Sequence, residues 1–128
     1  MIPLDLPRVS VVGFGVEASH EGEVIQLKLT GRAHIRTGAP LHSVLVRLHA
    51  EAMRLGVKKV TVDFRGVELM NSACFKSLLT WLDTAQQTSP ATRYRVHFLS
   101  DTHKQWQRRT LTALGYFASD LTFEVEEV

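Results

Sequence analysis

The sequence contains one cysteine among its 128 residues. A single thiol excludes an internal disulfide framework and any metal site built from several cysteines, and it is typical of a reducing compartment. The sequence also lacks any run of about 18 or more apolar residues. Its N-terminus has no positive region followed by a long apolar run. We therefore expect neither a membrane span nor a signal peptide, and we expect a cytoplasmic protein.

Neither charge dominates the sequence, and its histidines do not cluster. The formal net charge is only +2, with six histidines. Nucleic acids and anionic membranes usually bind a clustered basic surface, so we expect no nucleic-acid partner. Only His42 and His49 have a helical spacing, and two histidines two turns apart need further ligands to hold a metal. The sequence therefore predicts no metal site and no cofactor.

Two further motifs are weak. Gly13-Phe14-Gly15 follows an apolar run, as in a dinucleotide fingerprint, but the third glycine is missing and a turn follows instead of a helix. The basic stretch over residues 103–109 surrounds Trp106 and could hold phosphate or RNA. We favour a solvated helix face there, with Trp106 as its core anchor.

The composition is that of an ordinary soluble domain, with 45% hydrophobic and 22% charged residues. A chain of this length can bury a full core, so we predict a single domain over residues 1–128. Hydrophobic periodicity predicts the order ββαβαβαβ. The predicted elements are strands over 9–16 and 24–29 joined by a turn at 20–23, a helix from 37–40 to Gly56, a strand over 57–64, a tight turn, a helix over 72–86, a strand around 94–98, a helix capped by Ser100 or Asp101, and a strand over 121–125.

Strands that alternate with helices predict an α/β domain with a mixed sheet and right-handed crossovers. Tyr94, Val96 and Phe98 alternate with charged residues, which predicts one polar sheet face and helices mainly on the other. If the last two strands are neighbours, the acidic tail can pair with basic residues of the strand before it. The residues concerned are Glu124, Glu126 and Glu127 in the tail and Arg93 and Arg95 in the strand.

The second and third helices each show an apolar stripe. The second is predicted to turn inward Phe75, Leu78, Leu79, Leu82 and Ala85, and outward Ser72, Lys76, Thr80, Asp83 and Gln87. The third is predicted to turn inward Trp106, Thr110, Ala113, Leu114 and Phe117. The outward row of the second helix starts at the helix N-terminus, where unpaired N–H groups and the helix dipole favour contact with an anion.

Residues 60–79 resemble the central signature of STAS domains, named for sulfate transporters and anti-sigma factor antagonists. Their sequence is Val-Thr-Val-Asp-Phe-Arg-Gly-Val-Glu-Leu-Met-Asn-Ser-Ala-Cys-Phe-Lys-Ser-Leu-Leu. In that family a strand with an apolar-Asp-apolar run precedes a methionine or similar residue, and then Asp-Ser-Ser/Thr/Ala-Gly-Leu opens a helix. The flanking elements follow the family's order, so the resemblance covers nearly the whole chain.

The resemblance implies a STAS-like (anti-sigma factor antagonist) fold and a non-enzymatic signalling module. In its stand-alone bacterial form such a module binds an anti-sigma factor, a related serine kinase or another switch protein. The partner phosphorylates a serine or threonine at the helix N-terminus, and the added charge disrupts the complex. A phosphoryl group carries about −1.5 to −2 charges, which is enough to rewrite a local interface.

The sequence departs from the STAS pattern at three positions. Ala73 stands where regulated members carry the phosphorylated residue. Ser72 matches the preceding serine, and we interpret it first as a helix cap or first-turn hydrogen bonder, with a displaced phosphoacceptor as the alternative. Asn71 replaces the family's aspartate, which keeps a capping oxygen but removes the negative charge that would suit the helix dipole. Cys74 replaces a glycine, and we interpret it as a small buried hydrophobe, not a reactive thiol.

Two classes of function are consistent with these observations. The first is a protein-binding module whose recognition edge is formed by Asn71, Ser72, Ala73, Lys76, Thr80 and Asp83. The second is an accessory domain that holds an anion, a nucleotide or a lipid phosphate. Its site would be the N-terminus of the second helix or the basic third helix. No nucleophile, base and orienting group can be assembled from neighbouring motifs, so we do not expect an enzyme.

Overall fold

The computed structural model describes residues 2–7 and 11–128. Six strands and three α-helices follow one another as β1 (Ile2–Pro3), β2 (Phe14–Glu21), β3 (Val24–Ala33), α1 (Gly38–Leu55), β4 (Lys59–Met70), α2 (Ser72–Gln86), β5 (Arg95–Ser100), α3 (Gln105–Gly115) and β6 (Phe123–Glu127). A short 3-10 helix (Ile35–Thr37) leads into α1. Within the described ranges, no helix is long and apolar enough to cross a membrane.

The strands form one mixed sheet, in which they lie side by side in chain order. The first three are antiparallel neighbours, and β3 to β6 are parallel. This confirms the predicted α/β class. Each crossover moves one strand further in the same direction, and right-handed crossovers without a reversal place all three helices on one face. The opposite face, here called the open face, carries polar side chains such as Gln26, Lys28 and Asp63.

The hydrophobic core lies between the sheet and the helices. Its fully buried side chains include Ile25, Leu27, Leu41, Leu45, Leu48, Val60, Val62, Leu78, Leu82 and Phe98. Each leucine so buried stabilises the fold by roughly 1.5–3 kcal/mol relative to exposure. The predicted course of α1 is confirmed, because the helix starts at Gly38 and ends where Gly56 takes the left-handed conformation with φ of 65°.

The N-terminal strand prediction over 9–16 is wrong in its bounds. The strand begins at Phe14 and continues to Glu21, while Val11 and Val12 precede it and the Val12 side chain is 96% exposed. Residues 9 and 10 lie outside the described ranges. The predicted hairpin is confirmed, because Glu21 pairs with Val24 across a two-residue loop. The two-residue strand β1, which pairs with β2, was not predicted.

The predicted tight turn between the fourth strand and α2 is also wrong. β4 continues to Met70, and only Asn71 separates it from the helix. Two irregularities in its pairing with β3, between Lys28 and Thr30 and between Gly31 and Arg32, let the strand continue beyond its regular apolar alternation. The strand therefore delivers the start of α2 directly to the edge of the sheet.

The predicted orientation of α3 is partly wrong. Leu114 is buried and Trp106 packs against the core beside Phe64, as predicted. Gln107 and Leu111 are fully buried, whereas Phe117 lies beyond the helix and is 60% exposed. Neither Ser100 nor Asp101 caps the helix, which has no side-chain cap. Buried hydrogen bonds hold Gln107 in the core, on the same side of the helix as Leu111 and Leu114.

The acidic tail does not pair with Arg93 or Arg95 as predicted, although β5 and β6 are neighbours as expected. Glu124 and Glu126 lie against His97, at 3.6 and 3.0 Å, and Glu127 contacts Arg108. Arg93 instead donates to three backbone carbonyls, those of Gln86, Thr88 and Asp120. The expected Arg–Glu pairs are therefore absent because Arg93 is already bound to backbone.

Candidate partner-binding site at the start of helix α2

Asn71 is the N-cap of α2. Its backbone is extended, with φ of −72° and ψ of 154°, and its Oδ1 accepts a hydrogen bond of 2.8 Å from the N–H of Ala73. The Asn71 N–H donates to the carbonyl of Ala33 at 2.7 Å, which fixes the cap to β3. An asparagine in this role stabilises a helix by about 1 kcal/mol relative to alanine. Asn71 therefore stabilises the start of α2.

Ser72 is the first residue of α2, and its side chain is exposed. Across residues 2–7 and 11–128, no partner accepts from or donates to its hydroxyl. The interpretation of Ser72 as the cap is therefore wrong, because the asparagine before it already satisfies the first orphan N–H group. The hydroxyl at the helix start has no structural role that would explain it.

Ala73 is half-buried at the contact between the N-termini of α1 and α2. A Cβ atom built on Gly38 would lie only 2.9 Å from the Ala73 Cβ, so the close approach of the two helices requires glycine at position 38. The Ser77 hydroxyl donates to the Gly38 carbonyl at 2.8 Å and holds the same contact. A larger side chain at position 73 would press on α1.

Cys74 is a buried structural residue, as the sequence predicts. Its thiol donates to the His34 carbonyl at 3.4 Å. Burial raises the pKa of the Cys74 thiol to about 11, so the thiolate is scarce at neutral pH. This cysteine is therefore neither reactive nor available to a partner.

The remaining predicted residues form an exposed row along α2. Ser72, Lys76 and Thr80 follow one another at four-residue intervals, and Asp83 lies on the same exposed side. The Thr80 hydroxyl donates to the Lys76 carbonyl, and the Asp83 carboxylate accepts from Gln87 Nε2. The Lys76 ammonium has no ion-pair partner within the described part of the chain. The row thus offers a free hydroxyl and a free cation.

The inward side of α2 differs partly from the prediction. Leu78, Leu82 and Ala85 are buried as expected, but Phe75 and Leu79 are only half-buried. Cys74, Ser77 and Trp81 are buried in addition. The helix presents this side to α1, so the exposed row lies beside the α1–α2 contact.

The structure adds basic residues that the sequence analysis missed. The 3-10 helix packs against α2 and carries the exposed side chains of Ile35 and Arg36, preceded by His34. Arg32, at the second irregularity in the pairing of β3 with β4, pairs with Glu68 at 3.6 Å. About forty residues separate Arg36 from Lys76 in sequence, and the packing of the 3-10 helix and α1 against α2 brings their surroundings together. Arg36 and Lys76 are therefore two exposed cations near the start of α2 without an ion-pair partner among the described residues.

The start of α3 lies at the same edge of the sheet but has a different chemistry. Gln107 Nε2 donates to the carbonyls of Phe64 and Val67 at 2.9 and 2.8 Å, and its Oε1 accepts from the N–H of Asp101. Lys104 Nζ donates to the Arg65 carbonyl at 2.8 Å. The side chains of Gln107 and Lys104 at this second helix start are therefore bound to groups within the fold.

On the open face, Arg65 makes two hydrogen bonds of 2.9 Å to the Asp63 carboxylate, and these bonds hold the Asp63 pKa below its usual range. This pair is structural and lies away from the α2 corner. Among the described residues, no group of three or more histidine, cysteine or acidic side chains is arranged to hold a metal ion.

These strands and helices define the STAS fold. The chain superimposes on the crystal structure of an anti-sigma factor antagonist from Mycobacterium paratuberculosis with a TM-score of 0.65 and 13% sequence identity, covering 87% of this chain and 85% of that one. The chain therefore has the fold of an anti-sigma factor antagonist. No protein-family model matches the sequence, and no curated protein does so.

Proposed function

We propose that this protein is a signalling module that binds a partner protein, such as an anti-sigma factor, a serine kinase-like protein or another switch protein. The recognition edge is the exposed row of α2 together with its cap, formed by Asn71, Ser72, Ala73, Lys76, Thr80 and Asp83. The observation that carries the proposal is the free Ser72 hydroxyl. It lies on a rigid helix start where a neighbouring side chain has taken over the capping role.

Ser72 is also suited to act as a switch. Its hydroxyl is exposed and unbonded, and Lys76 lies one turn further along the helix. A phosphoryl group at the first helical position is tolerated by the helix dipole, so the fold would survive it. The same group would add negative charge beside the exposed cations near the helix start and repel a partner that had matched them. Ala73 cannot accept phosphate, so Ser72 is the acceptor that this arrangement offers.

An anion-binding accessory domain is the competing function. The start of α2 does not favour it, because the N–H groups of its second, third and fourth residues already have acceptors. The Ala73 N–H is bound to the Asn71 side chain, and those of Cys74 and Phe75 donate to the Asn71 carbonyl. We expect no saturable rise in melting temperature when nucleotides are added, whereas the anion-binding alternative requires one.

The test is affinity capture from the protein's own host with matched charge reversals. Lys76→Glu changes the recognition edge, and Lys58→Glu makes the same change at an exposed site at the other end of β4. We expect a protein that is retained by the wild type and by Lys58→Glu but lost with Lys76→Glu. A partner retained equally by all three would contradict the proposed edge. Mass spectrometry of the protein from the same cells then shows whether Ser72 carries phosphate.

A further inference from the structure

A small cleft of about 70 Å³ lies between α1 and α2, beside the recognition edge. Its lining consists of Leu45, Val46, Thr80, Trp81 and Thr84, with the histidines His42 and His49. Thr80 belongs to both the cleft and the edge, so the two surfaces are continuous. From Ser72 to Thr84 this continuous strip is about 18 Å long.

The cleft is more apolar than its residue types indicate. The Thr80 hydroxyl donates to the Lys76 carbonyl, and the Thr84 hydroxyl donates to the Thr80 carbonyl, each at 3.0 Å. Both threonines have therefore turned their hydroxyls to the helix backbone, which leaves their methyl groups for contact. Val46 adds an aliphatic side chain that is 56% exposed at the rim.

The floor of the cleft is held rigidly by a buried polar chain. The Trp81 indole N–H donates to the Tyr94 hydroxyl at 2.9 Å, and the hydroxyl lies 2.8 Å from His49 Nδ1. The Tyr94 oxygen accepts from the indole, and its own proton can be donated to an unprotonated His49 Nδ1. Burial lowers the His49 pKa and so favours the neutral imidazole. The indole nitrogen, the Tyr94 hydroxyl and His49 Nδ1 are thus bonded to one another within the floor.

The charges around the strip identify the kind of partner that fits it. The Lys76 and Arg36 side chains are exposed, and within the described segments neither has an ion-pair partner. Arg47 on α1 is bound to Glu51, which also binds Arg54. The acidic group of the strip is Asp83, whose carboxylate accepts from Gln87 Nε2 and lies towards the other end of the strip. The strip therefore combines one apolar socket with unpaired positive charge towards the helix start.

We propose that this cleft is the anchor site for a partner segment that inserts one aliphatic side chain between α1 and α2 and carries acidic residues towards Lys76. This inference rests on the proposed partner binding and specifies its chemistry. An apolar anchor beside complementary charge is the usual arrangement of a helix bound in a groove.

The experiment is photo-crosslinking in the host with a benzophenone amino acid placed at Val46, at Lys76 or, as a control, at Lys58. We expect the same partner to be crosslinked at positions 46 and 76 and no partner to be crosslinked at position 58. The peptide crosslinked to position 46 should contain an aliphatic residue flanked by Asp or Glu. An adduct at 76 without one at 46 would overturn the anchor and leave the recognition edge intact. Absence of adducts at both would contradict the edge and the anchor together.

The identity of the crosslinked peptide decides the remaining outcomes. A peptide with no acidic residue, or an adduct with a second copy of this chain, would overturn the proposed occupant. The purified partner is then titrated against two variants of the rim. Thr84→Val should bind as the wild type does, because the hydroxyl does not face the partner, whereas Thr84→Glu should weaken binding at least about tenfold. Thr112→Glu on exposed α3 is the control, and equal affinities of the two Glu variants would contradict the anchor.

Discussion

The starts of α2 and α3 lie at the same edge of the sheet, yet they use their polar residues in opposite ways. At α3 the side chain of Gln107 is fully buried and bound to backbone groups on both sides of its amide. At α2 the cap is supplied by Asn71, and the next residue, Ser72, is exposed and unbonded. The difference separates a corner that holds the fold together from one that is free to contact another molecule.

Substitutions at the two helix starts should change the free energy of unfolding by different amounts. At the α3 corner, loss of a polar side chain should damage the fold because each buried carbonyl left without a donor costs about 1–3 kcal/mol. At the α2 corner, loss of Ser72 should leave stability within about 0.5 kcal/mol and affect binding alone.

The largest effect is expected from Gln107→Leu. The variant removes the donor to the carbonyls of Phe64 and Val67 and the acceptor for Asp101, so we expect unfolding to become easier by about 3 kcal/mol or more. Denaturant titration measures the change. Gln105→Leu, an exposed position on the same helix, is the matched control and should stay close to the wild type. Equal losses of stability in both variants would show that the hydrogen bonds of Gln107 do not stabilise the start of α3.

Gly38→Ala should have the next largest effect. The added methyl would lie 2.9 Å from the Ala73 Cβ, and overpacking of this kind costs about 1–3 kcal/mol. If the clash is the cause, Ala73→Gly in the same chain should recover part of the loss, and a double-mutant cycle measures the coupling. Strict additivity of the two changes would mean that the helix starts are further apart than described.

Asn71→Ala removes the cap of α2 and should cost about 1 kcal/mol of stability. Asn71→Asp should retain the cap, because a carboxylate oxygen can accept from the Ala73 N–H and its charge suits the helix dipole. Thermal unfolding of the two variants beside Ser72→Ala gives the comparison. The interpretation of Asn71 as the cap fails if Asn71→Ala is as stable as Ser72→Ala.

The smallest effect concerns pH. Burial lowers the folded-state pKa of His49, so as the pH falls through the ordinary histidine value of about 6.5 the unfolded state binds a proton first and stability decreases. His49→Gln should therefore reduce the drop in Tm between about pH 7.5 and about pH 5.5. His42→Gln, at an exposed position on the same helix, should keep the wild-type pH dependence. Identical profiles for all three proteins would remove His49 as the cause.

The sequence was sufficient for the elements whose structure depends on local pattern. α1 ends at Gly56 because glycine takes the left-handed conformation there, and α2 spans the residues that its apolar stripe predicts. The buried side of α3 contains Gln107 beside Leu111 and Leu114, and the hydrogen bonds between Gln107 and a strand some forty residues earlier are not visible in the periodicity. A buried glutamine looks polar in a sequence pattern and therefore suggests the wrong face.

The candidate site was also predictable from the sequence only where it depends on local spacing. Ser72, Lys76, Thr80 and Asp83 could be placed on one exposed side of α2 from their spacing alone, and the structure places them there. The choice of Asn71 as the cap is decided by backbone conformation at the end of β4. The grouping of exposed cations near the start of α2 and the cleft both arise from the packing of the 3-10 helix and α1 on α2, which joins residues far apart in sequence.

The most direct test of the recognition edge is to titrate the captured partner with Ser72→Ala and Ser72→Asp. Aspartate at the first helical position suits the helix dipole, so both variants should be folded and equally stable. We predict that Ser72→Ala binds almost as the wild type does and that Ser72→Asp binds at least about tenfold more weakly, because the new charge opposes an acidic partner. Equal affinities for the two variants would contradict a charge-sensitive binding surface at the start of α2.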